Sequence, residues 1–228
     1  MKAKFGAIVT EGRGKIGGHV ASKNRAGAYF RTKVTPVNPQ SISQLGSRNR
    51  FSEQSQAWRG LTDAQRDAWN GAVADYAKTD IFGDLRNPTG AQLYQRLNNN
   101  LVNIGQSVIT MPPAVEAVFA LTSLSLAVAE GAGTMVATFT GAIPVGTSFL
   151  VFATPAISAG KSFVKNLYRQ IGVFVNTDVS PLSIATEYEA KFGDIAGAGQ
   201  KIFVQFKAVN ETTGQAGVPV SASAIISA

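Results

Sequence analysis

The clearest strand pattern in the sequence is Lys201-Ile202-Phe203-Val204-Gln205-Phe206-Lys207-Ala208-Val209, in which polar and apolar side chains alternate. A period of two puts one set of side chains on each face of a strand, so this stretch predicts a half-buried strand. Turn residues at short intervals divide the sequence around it, and no helical period separates the segments. Residues 111–228 therefore predict an antiparallel β-sandwich of the immunoglobulin or fibronectin type III kind.

Seven strands are predicted in this C-terminal part. They lie near residues 117–128, 133–140, 147–153, 165–176, 183–192, 200–210 and 218–227. Their aromatic residues Phe149, Phe152, Phe203 and Phe206 stand in apolar surroundings and are expected in the core. The strands are then not expected to offer the exposed aromatic rings that a carbohydrate-binding site requires.

Residues 38–110 predict three helices, each with a start signal. Asn38-Pro39 is an N-cap followed by proline, and it predicts a first helix that runs to Gly60. Thr62 with Gln65 forms a capping box, and Thr89 precedes a leucine stripe. The helical aromatic residues expected in a core or at a partner interface are Phe51, Trp58, Trp69 and Tyr76.

Positive charge is concentrated at the N-terminus. Residues 1–50 hold ten lysines and arginines against the single acid Glu11, whereas the rest of the chain is nearly neutral. Residues 1–37 are also rich in glycine and show no sustained period, so they predict an extended basic arm. The residues expected to dock this arm on neighbouring subunits are Arg13, Lys15, Lys23, Arg25, Tyr29, Arg31 and Lys33.

The predicted organisation therefore has three parts. The arm (1–37) leads into the helical region (38–110), and the stiff linker Met111-Pro112-Pro113 leads into the sandwich domain (111–228). The change from a helical period to a strand period at this linker predicts that the sandwich domain folds without the preceding residues. The fold class is α+β with several parts.

Composition excludes several kinds of site. The 228 residues include no cysteine and one histidine, His19, so disulfides, thiol nucleophiles and multi-histidine metal sites are ruled out. Gly12-Arg13-Gly14-Lys15-Ile16-Gly17 has the spelling of a dinucleotide-binding turn, but no helix pattern opens there and no acid follows at the required distance. Neither a signal-peptide core nor a membrane-spanning apolar run is evident. We therefore expect a soluble protein with no cofactor, no metal and no enzymatic activity.

One linear signature runs through residues 6–105. It consists of Arg13-Gly14-Lys15-Ile16-Gly17-Gly18, Arg25-Ala26-Gly27, Arg31, Pro36-Val37-Asn38-Pro39-Gln40, Arg48-Asn49-Arg50-Phe51, Trp58, Leu61-Thr62, Gln65-Arg66, Trp69, Thr89-Gly90 and Leu97-Asn98. This combination resembles a group of tailed-bacteriophage virion structural proteins, in which a glycine- and arginine-rich N-terminus runs into a short helical region. The resemblance implies a virion component assembled in the host cytoplasm with other virion proteins as partners.

Several functions stay open at this point. The favoured one is an auxiliary or decoration protein of the capsid, whose arm docks among subunits of the major capsid protein in a homo- and hetero-oligomeric assembly. A neck or tail protein of the connector ring is the alternative. A nucleic-acid-binding virion protein is a further alternative, because Phe5, Tyr29 and Phe30 lie among the basic residues. The last alternative is a carbohydrate-binding adhesin module.

Overall fold

The computed structural model describes residues 1–4, 6, 11–25, 27–130, 134–195 and 197–228. The helices in these ranges are α1 (Ile42–Gly60), α2 (Asp63–Gly71), α3 (Gly90–Asn103) and α4 (Ala185–Phe192). The strands are β1 (Lys2–Ala3), β2 (Gly14–Ile16), β3 (His19–Asn24), β4 (Gly27–Thr32), β5 (Lys78–Thr79), β6 (Leu85–Arg86), β7 (Leu124–Ala129), β8 (Thr134–Phe139), β9 (Thr147–Ala153), β10 (Arg169–Phe174), β11 (Leu182–Ser183), β12 (Lys201–Asn210) and β13 (Val220–Ile225). Their sheet pairings are antiparallel, so the chain is an α+β protein with substantial sheet content.

The chain divides into two compact units. The first unit comprises Met1–Asn49 and Ala77–Asn87, and the second comprises Arg50–Tyr76 and Pro88–Ala228. The division falls inside α1, whereas the predicted linker at Met111–Pro113 lies inside the second unit. Independent folding of residues 111–228 stays a prediction. None of the helices in the described ranges is long and apolar enough to cross a membrane.

The first unit contains a four-stranded sheet in the order β1-β4-β3-β2. Within the predicted extended arm, strands β2, β3 and β4 form antiparallel hairpins. Gly17-Gly18 makes the two-residue turn between β2 and β3, and Gly17 takes a φ of 55° that glycine adopts at little cost. This glycine pair is a hairpin signal, but it lies between strands whose few apolar residues give only a weak alternation.

Two of the three predicted helix starts are confirmed. Thr62 and Gln65 form the reciprocal capping box of α2, and Thr89 with Gln92 forms the same box at α3. The first start is wrong by three residues, since α1 begins at Ile42. Gln40 has a φ of 49°, which is incompatible with a helix, and the Ser41 carbonyl accepts the first helical bond, from the Leu45 amide.

Two sheets of the second unit share one hydrophobic core. Their strand orders are β10-β9-β12-β13 and β11-β8-β7. Phe139 of β8 packs against Phe149 of β9 and Phe206 of β12, with ring centroids 6.1 Å apart in both pairs. Alternate residues of β12, from Ile202 to Ala208, point into this core. The alternation that predicted a strand over 201–209 is thus confirmed.

Three sequence expectations for the second unit need correction. The predicted strand at 183–192 is helix α4, because Ala185, Tyr188 and Phe192 have helical spacing and pack on the core. Phe152 and Phe203 are only partly buried and alternate with core residues, so they lie on the outer face of their sheet. The predicted strand at 117–128 begins at residue 124, and Gly133 at the start of the next prediction lies outside the described residues.

Candidate functional surface

The strand register shows how the basic residues of the first unit are distributed over its sheet. Lys15 pairs with Val20, and Val20 pairs with Arg31, so both cations lie in one row on one face. Tyr29 belongs to the same face, next to Lys2 of β1. Lys23 lies on the opposite face, since it is an odd number of residues from Val20 along β3. Of the remaining predicted docking residues, Arg13 precedes β2, Arg25 occupies the turn after β3, and Lys33 follows β4.

Some of these cations are paired and others are not. Lys23 and Arg13 share the carboxylate of Glu11, at 2.5 Å and 3.7 Å. The hydrogen bond from Lys23 and the two positive charges lower the pKa of Glu11. Lys15, Arg25, Arg31 and Lys33 are exposed, and their side chains make no ion pair or hydrogen bond with the described residues. This surface therefore presents uncompensated positive charge to solvent.

The first unit also lacks a substantial core in its described part. Ala21 is its single buried apolar residue there. Nine of its large apolar side chains are exposed, some of them almost fully: Met1, Ile16, Val34, Val37, Ile42, Leu45, Ile81, Phe82 and Leu85. Ile42 and Leu45 have the helical spacing of α1, whereas the other exposed residues follow no period of two or 3.6, so the sequence pattern gave no sign of them. Phe5, which was grouped with the aromatic residues of the arm, lies outside the described residues.

Asp80 is the best-connected polar residue of the first unit. Its side chain is only 4% exposed, and it accepts hydrogen bonds from the Lys2 ammonium at 3.0 Å and the Arg86 guanidinium at 3.4 Å. The backbone amides of Phe82 and Asp84 donate to its other oxygen. Burial would raise the pKa of Asp80, but these donors outweigh it and hold the pKa well below its usual range. Asp80 thus attaches β1 to the hairpin of β5 and β6.

Replacing Asp80 with asparagine is expected to release β1 from the sheet. The change removes the negative charge from Lys2 and Arg86 and points an amide donor toward them. The backbone amide of Phe30 donates to the Met1 carbonyl at 2.8 Å, so its hydrogen exchange reports β1 pairing directly. We expect faster exchange of this amide at pH 7 in the Asp80→Asn variant.

The same contact has a defined pH dependence in the wild-type chain. Because the folded pKa of Asp80 lies below the unfolded value of about 4, its contribution is present above about pH 4 and is lost as the pH falls below it. Asp178→Asn is the matched control, since that carboxylate also accepts a hydrogen bond from a backbone amide, that of Val175 at 2.7 Å, but pairs with no cation among the described residues. Phe30 exchange that is equal in both variants would contradict the role of Asp80.

The four aromatic residues predicted in the helical region do not share one environment. Trp69 is fully buried, with its ring edge against Tyr94 at a centroid distance of 5.4 Å, and Trp58 packs on the same tyrosine at 5.5 Å. Tyr76 is buried in this cluster, whereas Phe51 is 57% exposed. The Trp69 indole donates to the Thr110 carbonyl and the Tyr76 hydroxyl donates to the Pro113 carbonyl. These two residues therefore hold the segment that leads to the sheets.

The nucleotide-like glycine motif has a structural role. Its residues form strand β2 and enter the Gly17-Gly18 turn, and no helix begins at Gly17. His19 is exposed at the start of β3, opposite Thr32. No cluster of three or more histidine, aspartate or glutamate side chains that could hold a metal occurs in the described ranges. The candidate functional surface is thus the exposed basic and apolar surface of the first unit.

Comparisons of the chain with protein-family models, with curated proteins and with solved structures found no match.

Proposed function

We propose that the chain is a structural component of a tailed-phage virion, an auxiliary or decoration protein of the capsid. Its first unit docks among neighbouring subunits and carries no catalysis. The observation that carries the proposal is the first unit itself: its described residues bury one apolar side chain, Ala21, and expose nine large ones. A small sheet with so little core needs a further source of stability. Burial of these side chains against a partner supplies it.

Charge defines the chemistry of that partner. Residues 1–49 hold nine lysines and arginines against Glu11, and the charges of residues 77–87 cancel. A second copy of this unit carries the same excess and repels it, whereas an acidic protein surface attracts it. Lys15, Arg25, Arg31 and Lys33 are available for charge-assisted hydrogen bonds to carboxylates. Among the described residues β1 and β2 are the outer strands of the sheet, and an outer strand is suited to strand addition.

The virion setting rests on the resemblance of residues 6–105 to tailed-phage structural proteins. The two sheets with a shared core support the further proposal that they form an immunoglobulin-like sandwich, which projects from the particle. A neck or tail protein of the connector ring is the alternative within the virion. Contact with nucleic acid is a second candidate, favoured by the placement of Tyr29 beside Lys2 and on the face of Arg31.

Copy number distinguishes the capsid from the neck and tail. We expect quantitative mass spectrometry of purified virions to find hundreds of copies of this chain, because a decoration protein repeats over the whole shell. A count of about six, twelve or twenty-four would indicate a closed ring at the neck or tail and would exclude the decoration role. The major capsid protein of the same particles provides the internal standard.

A further inference from the structure

A groove of about 590 Å³ lies on the outer face of the sheet β10-β9-β12-β13. Its floor is one row across three strands, in which Phe152 pairs with Gln205 and Gln205 pairs with Ser221. The neighbours of Phe152 along β9, Val151 and Ala153, belong to the core, so Phe152 points the other way. The groove is therefore separate from the core and lies outside the first unit.

The loop between β9 and β10 forms the wall of the groove. Val164 is buried, and its carbonyl accepts a hydrogen bond from the Leu167 amide at 2.8 Å, which fixes the middle of the loop. Tyr168 at the end of the loop and Ser221 of the floor both line the groove, so the loop reaches the floor at this point. Phe163 lies next to Val164 in the chain and lines the groove, yet it is 72% exposed. The loop holds this phenyl ring in solvent, where its large apolar surface is in contact with water. A ligand in the groove would cover that surface.

The lining indicates the chemical class of that occupant. It combines the rings of Phe152, Phe163 and Tyr168 with the uncharged polar groups of Gln205 and Ser221, and no carboxylate lines the groove within the described residues. The exposed Lys165 is its single charged group. A cation would find no counter-charge here, and an apolar ligand would strip water from Gln205 without replacing its hydrogen bonds. A volume of this size is within the range of about 300–1,000 Å³ for small-ligand sites.

We propose that this groove binds a neutral oligosaccharide. Such a ligand presents apolar C–H faces to aromatic rings and hydroxyls to amide and hydroxyl groups, which is the combination that the groove offers. Phe163 covers one sugar ring, and Gln205 both donates to and accepts from the hydroxyls. The inference concerns the second unit alone and does not depend on the proposed virion role.

Titration of the full chain with sugars, followed by amide NMR, tests this inference. The probes are soluble neutral oligosaccharides of glucose, galactose, mannose, rhamnose and N-acetylglucosamine. We expect at least one to shift the amides of Phe163, Lys165 and Gln205 in a saturable way. Phe163→Ala should weaken its binding about tenfold, because one aromatic contact is lost from an exposed position that does not support the fold. Phe51→Ala removes another exposed phenyl ring, from α1, and should change nothing.

Gln205→Leu separates a sugar from other occupants. The substitution keeps the size of the side chain and removes its hydrogen-bonding groups, so sugar binding should weaken. Stronger binding in this variant would indicate an apolar ligand and would overturn the inference. Loss of binding in Lys165→Gln together with a steep salt dependence would indicate an acidic ligand and would overturn it as well. Failure of every probe to bind, or binding that Phe163→Ala leaves unchanged, would have the same consequence.

Discussion

A chain in which Lys15, Arg31 and Lys33 are replaced with alanine is expected to be missing from assembled virions, with its incorporation reduced at least about tenfold. These exposed cations make no ion pair or hydrogen bond with the described residues, so their removal breaks no contact shown within the chain. In the wild-type chain each of these cations donates a charge-assisted hydrogen bond to the acidic partner. The alanine substitutions remove these bonds from the bound state. The measurement is the amount of variant and wild-type chain in purified particles, by quantitative mass spectrometry.

A control with the same change in net charge makes this result specific. Arg59, Lys161 and Lys191 are also exposed, but they belong to the second unit. Their replacement with alanine should leave incorporation unchanged. Both variants should unfold at the same temperature as the wild-type chain, since the replaced side chains are exposed and make no ion pair or hydrogen bond with the described residues. Normal incorporation of the Lys15, Arg31 and Lys33 variant would refute the docking role of the basic sheet.

Nucleic-acid binding gives a different outcome from the same variants. If the face of Lys15 and Arg31 contacts phosphates, the affinity of the isolated chain for DNA falls linearly on a log–log plot against salt, and the slope becomes shallower in the variant. If the partner is a protein, we expect both the wild-type chain and the variant to bind DNA weakly at physiological salt. Tight, salt-dependent binding to DNA with normal incorporation would favour the nucleic-acid alternative.

Local signals predicted the parts of the fold that local contacts determine. Thr62 with Gln65 and Thr89 with Gln92 satisfy amide groups within one helical turn, so their residue types suffice to place both helix starts. The alternation of β12 predicted its buried face for a similar reason, because every second side chain enters one core. The outward direction of Phe152 could not be read in the same way, since apolar residues occupy both faces of β9. Phe203 has the same period-two register as Lys201 and Gln205, so the alternation of β12 did indicate that it points away from the core.

The candidate surfaces depend on contacts between distant residues, which the sequence does not display. Lys15 and Arg31 share a face only because Val20 lies between them in the sheet, and that sheet follows from a glycine turn. Asp80 meets Lys2 across 78 positions of the chain. Phe163 stays exposed although the next residue, Val164, is buried and fixes the loop, and its neighbours in sequence suggest nothing unusual. Charge asymmetry was visible in advance, but the face that carries it was not.

The turn at residues 210–215 joins α3 to the sheets of the second unit. The Asn100 side chain donates to the Gly214 carbonyl at 2.8 Å, and the amide of Gly214 donates to the Asn210 carbonyl at 3.0 Å. Gly214 has a φ of 66°, which disfavours other residues. A Cβ at this position would overlap the carbonyl oxygen of Leu97 and would lie 3.0 Å from Cγ of the buried Leu101.

Gly214→Ala is therefore expected to lower the free energy of unfolding by about 3 kcal/mol or more, since backbone strain and overpacking each cost about 1–3 kcal/mol. For a chain of this size that corresponds to a fall of about 6–12 °C in Tm, measured by thermal denaturation followed by circular dichroism. Gly105→Ala is the matched control: Gly105 also has a positive φ, of 76°, but nothing lies within 4 Å of its Cβ position. The cost of Gly105→Ala is the backbone strain alone, so the Tm of this variant should fall less than half as far.

If the two variants melt at the same temperature, the contact of Gly214 with α3 contributes nothing beyond its backbone conformation. A larger fall for Gly214→Ala shows that the helices and the sheets stabilise each other across this turn.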